Sequence, residues 1–131
     1  MQMGKILYHN EGVVASFPYQ FEIEETPEGP KGTVTAYLYK NVKIPEDPSE
    51  LNQKLSQLYS QEDSGYFIDG TDIVYRSWRI IPPDIKNDRA AEVNVRRHFI
   101  EDYLEDEREL ADLVVPLGGE TLKTEFVGQE F

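Results

Sequence analysis

Tyr75, Arg76, Ser77, Trp78 and Arg79 set the only tryptophan of the chain between two arginines. An arginine beside an aromatic ring can hold a phosphate, a carboxylate or a flat ring through paired hydrogen bonds and stacking, so Arg76, Trp78 and Arg79 are candidate ligand-binding residues. On a strand, Arg76 and Trp78 share one face while Tyr75 and Arg79 share the other. A half-buried tryptophan with an arginine stem laid along it is ordinary packing, and no glycine-rich phosphate loop accompanies the cluster, so packing is the weightier reading.

The two histidines are His9 and His98. His98 with Glu101 and Asp102 has metal-ligand types on one helix, but one such trio needs further ligands from elsewhere, and a surface histidine beside acids explains it better. Asp69, Asp72, Asp84 and Asp88 do not follow calcium-loop spacing and read as turn residues. There is no HExxH, P-loop or GxSxG motif, and carboxylate pairs in so acidic a chain carry little information. Cysteine is absent, which excludes disulfides, thiol catalysis and cysteine-built zinc or iron–sulfur sites. The expectation is therefore no catalytic residue, no metal and no cofactor.

Charge is the more informative feature. Twenty-five acids against thirteen bases give −12 in 131 residues, a balance that opposes direct binding to nucleic acid or to an anionic membrane. Residues 1–65 carry −5, residues 66–98 carry +1 and residues 99–131 carry −8; all six arginines fall between Arg76 and Arg108. Within the last third, Glu101, Glu105 and Glu109 recur at i, i+4 with Asp112 and Asp102 beside them, which on a helix makes an acidic ridge. Each like-charge pair costs a few tenths of a kcal/mol, which an apolar face contributing ~1.5–3 kcal/mol per buried Leu or Phe absorbs. Three readings stand: a solvated helix face, a ridge paired internally with Arg76, Arg79, Arg96 or Arg97, and a docking surface for a partner with a basic surface.

The elements that must position these residues follow from periodicity. Val13, Ala15, Phe17, Tyr19, Phe21 and Ile23 alternate with polar residues to Glu25, the clearest strand, and Pro18 places it at a sheet edge or at a bend. Lys5–His9 precedes it across a turn at Asn10, Glu11 and Gly12. Turn residues 27–32 lead into a strand over Thr33–Ile44, with Val34, Ala36, Leu38, Val42 and Ile44 inward and Thr33, Thr35, Tyr37 and Tyr39 outward. Asp47, Pro48 and Glu50 start a helix running to about Gln61, with Leu51, Leu55, Leu58 and Tyr59 as its stripe. Tyr66–Asp69 and Asp72–Ile81 are strands around Gly70.

Asn87 or Asp88 caps a long helix to about Val114, with Val95, Phe99, Tyr103, Leu110, Leu113 and Val114 as core face and Ile100, Leu104 and Ala111 beside it. Residues 91–99 also fit a strand, which would move the helix start to Arg97. Thr121–Val127 closes as a last strand, and Phe126–Phe131 is a candidate contact surface together with Tyr37 and Tyr39.

This pattern predicts one α+β domain over residues 1–131: a mainly antiparallel sheet of about five to six strands covered by two helices. With no apolar run long enough to span a membrane and no signal-peptide order at the start, the expected location is cytoplasmic. The expected function is a small acidic, non-catalytic binding or adaptor protein, in its narrower form a nucleic-acid mimic, docking through Glu101, Glu105, Glu109 and Asp112. The alternatives are a small-molecule binder or enzyme whose pocket lies between sheet and helices with Arg76, Trp78 and Arg79 at its mouth, and a structural subunit of a larger assembly.

Overall fold

The computed structural model describes residues 5–58, 64–85 and 87–123. Among these residues, six strands and two helices follow the order β1 (Ile6–Val14), β2 (Phe17–Thr26), β3 (Gly29–Lys40), α1 (Ser49–Leu58), β4 (Gly65–Asp69), β5 (Asp72–Ile80), α2 (Asp88–Val114) and β6 (Glu120–Thr121). They form one antiparallel sheet in the order β1-β2-β3-β5-β4, with β6 added to the end of β3, and the class is α+β.

Both helices lie on one face of the sheet. Phe17, Tyr19, Phe21 and Ile23 of β2, Val34, Ala36 and Leu38 of β3, and Ile73 and Tyr75 of β5 form a core with Leu51 and Leu55 of α1 and Val95, Phe99, Tyr103, Leu110 and Val114 of α2. The period-two and 3.6-residue patterns thus meet across one interface. Val74 and Thr35 are also buried but lie on the opposite face, among Tyr37, Phe67, Arg76 and Trp78.

Helix starts follow their chemistry. Asp47 Oδ1 accepts from Ser49 N at 3.1 Å and from Ser49 Oγ at 2.6 Å, and Asn87 Oδ1 accepts from Ala90 N at 2.7 Å. Helix α2 is continuous from Asp88, so residues 91–99 are helical. It stops in a 3-10 turn, Val115–Leu117, followed by Gly118 at φ 85° and Gly119, whose N donates to Val114 O at 3.1 Å.

The first hairpin differs from expectation. Strand β1 runs on to Val14, and the turn is Ala15–Ser16, with φ of 50° and 71°. Two positive-φ residues match the twist of a two-residue hairpin, but glycine and asparagine are the usual signals for it, and neither is present. Register follows the turn: Val14 is buried and Val13 only half-buried, the reverse of an unbroken alternation from Val13. Strand β2 is interior, not an edge, and Pro18 is tolerated because pairing with β3 begins only at Tyr19. Strand β3 starts at Gly29, earlier than expected, and a register shift between Tyr37 and Tyr39 turns Tyr39 into the core. Tyr59, the expected end of α1 at Gln61, and Phe126–Phe131 lie outside the described residues.

Candidate functional site

Most carboxylates of helix α2 fall into three kinds, set by where each lies around its axis. Glu101, Glu105, Glu109 and Asp112 face away from the sheet and are exposed. Among the described residues no lysine or arginine forms an ion pair with any of them. The arginines are placed elsewhere. Arg76 is on the helix-free face of the sheet, where its Nε donates to Thr35 Oγ1 at 3.4 Å. Arg79 Nη1 donates to Asn94 Oδ1 at 2.6 Å, and Arg96 lies with its guanidinium 5.2 Å from the centre of the Tyr19 ring. Arg97 and Arg108 are exposed on α2 itself.

Asp102 and Asp106 form a second set. The sequence pattern places Asp102 on the ridge, but both aspartates turn toward the sheet: Tyr75 Oη donates to Asp102 Oδ2 at 2.9 Å and Tyr66 Oη to Asp106 Oδ2 at 2.9 Å. One helical turn thus presents two acceptors to two neighbouring phenols on β4 and β5. Burial raises Asp106, and although the Tyr66 hydrogen bond opposes this, Asp102, Glu109 and Glu105 push it further above the usual carboxylate range. Tyr66 is itself raised, by burial and by its bond to Asp106.

Glu92 is the third kind, fully buried. It accepts from Tyr8 Oη at 2.9 Å, from Asn10 Nδ2 at 2.9 and 3.1 Å and from Tyr19 Oη, and Arg89 Nη1 lies 3.4 Å away. Burial raises this carboxyl, but the donors from Tyr19, Asn10 and Tyr8, with Arg89, outweigh it and hold it below the usual range. Burial and the bond to Glu92 push the Tyr19 phenol up to about 12. A carboxylate so held is a weak base and is closed to solvent, so the arrangement suits a strut joining α2 to β1 and β2, not proton transfer. The spacing Glu92, Arg96, Phe99, Tyr103 marks both charged residues as members of the core face, a signal that apolar counting passes over.

The Arg76, Trp78 and Arg79 cluster is divided by the sheet. Trp78 and Arg76 look away from the helices, with Lys31 Nζ 4.7 Å above the Trp78 ring and Arg76 6.0 Å from that of Phe67, while Arg79 reaches α2 and approaches His98 Nε2 at 3.4 Å. The structure does not bring these three to one mouth between sheet and helices. His98 points to Arg79 and Asp102 to Tyr75, so the trio with Glu101 does not converge, and no group of three potential ligands clusters among the described residues. No helix among them is long and apolar enough to cross a membrane. The chain matches no family model, no curated protein and no solved structure.

Proposed function

We propose that this is a small acidic binding protein that docks on a partner with a basic surface through Glu101, Glu105, Glu109 and Asp112. The observation that supports this reading is the separation of roles around α2: carboxylates needed for internal bonds turn inward to phenols, while these four stand exposed with no cationic side chain of the described residues paired to them. Successive ridge glutamates rise ~6 Å along the helix, a spacing that a row of lysine or arginine side chains can meet. Such a surface raises association rate and orients the encounter more than it adds affinity, and its binding weakens as salt screens it.

The test is affinity capture with the wild-type chain and with Glu101→Lys, Glu105→Lys, Glu109→Lys and Asp112→Lys combined. The expected partner is retained by the wild type, is released by moderate salt and is lost with the reversed ridge. A partner held equally by both proteins, or no partner at all, overturns the reading. Competition between this protein and nucleic acid for the captured partner separates the nucleic-acid mimic from other acidic ligands.

A further inference from the structure

A second stripe on α2 runs between the core face and the ridge, and its outer part is taken up by neither. Val93, Arg97, Ile100, Leu104, Glu107 and Ala111 are spaced alternately by four and three residues, the seam of a coiled coil. At ~100° per residue they fall along one flank of the helix, about a quarter-turn from the core face and a quarter-turn from the ridge. Leu104 is 64% exposed and Val93 40%, and Ile100 and Ala111 are half-covered at the border of the core. Arg97 is exposed and has no ion pair among the described residues, and Glu107 is half-buried beside Tyr103 and Tyr39.

The order of residues along this stripe reads the same from both ends in chemical complement. About a two-fold axis level with Asp102, an antiparallel second copy sets Ile100 against Leu104, Arg97 against Glu107 and Val93 against Ala111, and each contact occurs twice. This is the self-complementarity that an isologous interface requires. A parallel pairing in register sets Arg97 against Arg97 and Glu107 against Glu107, so charge selects the antiparallel form. Beside Ile100 lies an open groove of ≈350 Å³ lined by Val93, Arg96, Arg97, Ile100 and Glu101, which can take the Leu104 side chain of the second copy.

We propose that the chain forms an antiparallel homodimer through this flank of α2. Glu105, Glu109 and Asp112 stay open on another side of the helix and only Glu101 borders the seam, so the dimer and the docking of a basic partner are tested separately. Opposing the dimer are the −12 charge of each copy and the nearness of Glu101 to its own symmetry mate; both set a weak, concentration-dependent equilibrium.

The experiment is sedimentation velocity of the full chain over a concentration series at physiological salt, with circular dichroism to check each variant's fold. The wild type is expected to pass from monomer to dimer as concentration rises. Leu104→Glu and Arg97→Glu each weaken the dimer by about tenfold or more, which is ~1.4 kcal/mol. Arg97→Glu combined with Glu107→Arg restores it, because the swapped charges still face each other only in the antiparallel arrangement. Leu104 and Arg97 are exposed, so their variants retain the monomer fold and loss of association is not loss of structure. A wild type that stays monomeric at every concentration overturns the proposal. So does a Leu104→Glu dimer as tight as the wild type, or a well-folded double swap that does not recover association.

Discussion

The Tyr66 hydroxyl donates to Asp106 at 2.9 Å, yet Asp106 holds its proton more tightly than a free carboxyl does. One donated bond cannot outweigh burial combined with three acidic neighbours. A carboxyl raised on folding binds its proton more strongly in the folded chain. The charged form therefore destabilises the fold at neutral pH, and stability is recovered as pH falls through the folded value. Asp106→Asn keeps an acceptor for Tyr66 and removes the charge. It is expected to raise stability at pH 7 by a few tenths to about 1 kcal/mol. The gain should vanish below the ordinary value of 3.8, where both states of the wild type are protonated. Paired thermal melts at pH 7 and below pH 3.8 measure this, and a lower melting temperature at pH 7 would count against it.

Glu92 has the opposite sign. Its carboxyl is depressed by folding, so its contribution is present above the ordinary value of 4.5 and is lost as pH falls through the lower, folded value. Glu92→Gln leaves Tyr8, Asn10 and Tyr19 competing for one oxygen and turns an amide donor toward them. The expected cost at pH 7 is ~2–4 kcal/mol. Denaturant melts of the two proteins should converge as the buffer is acidified. A constant difference at all pH values would mean that shape, not charge, sets the cost.

Tyr19→Phe isolates one arm of the same network, since the ring stays in the core and only the hydroxyl is lost. A loss of ~1–3 kcal/mol is expected. In a double-mutant cycle with Glu92→Gln the two losses should fall short of additivity, because both remove the same hydrogen bond. Additive losses would place the two residues in separate interactions.

Gly119 closes the end of α2 where no side chain fits. A Cβ built there meets the backbone oxygen of Val114 at 2.8 Å, so no flexible side chain can give way. Gly119→Ala is expected to cost ~1–3 kcal/mol and to loosen the seating of β6 on β3. Hydrogen exchange at Leu122, whose N donates to Leu38 O at 2.8 Å, reports on that seating directly.

Ala15 occupies a left-handed conformation, φ 50°, that costs an ordinary L-residue roughly 1–2 kcal/mol. Asparagine tolerates it better, so Ala15→Asn should stabilise the hairpin by about 0.5–1 kcal/mol without altering the register. A denaturant midpoint that does not rise would show that the turn is held by its flanking strands alone.

The α+β class, the pairing of β4 with β5, both helix caps and most of the core face of α2 were legible in the residues because each follows from local periodicity or cap chemistry. The first turn was not, since Ala15 and Ser16 carry no turn signature and only the tertiary register forces them into it. Strict alternation puts Tyr39 on the outer face, and the register shift in β3 breaks that alternation. Glu92 carries no local signal of its burial, which depends on Tyr8, Asn10 and Tyr19, far away in sequence. Helical angle alone places Asp102 on the ridge, and only the position of Tyr75 shows that it turns the other way.

These anchors carry a mechanical meaning. Glu92 grips β1 and β2 on one side of α2, and Asp102 and Asp106 grip β5 and β4 on the other, so the long rod is keyed against rolling about its own length. Whatever approaches its outer surface meets a charge pattern already aimed, and none of the energy of the encounter goes into turning it.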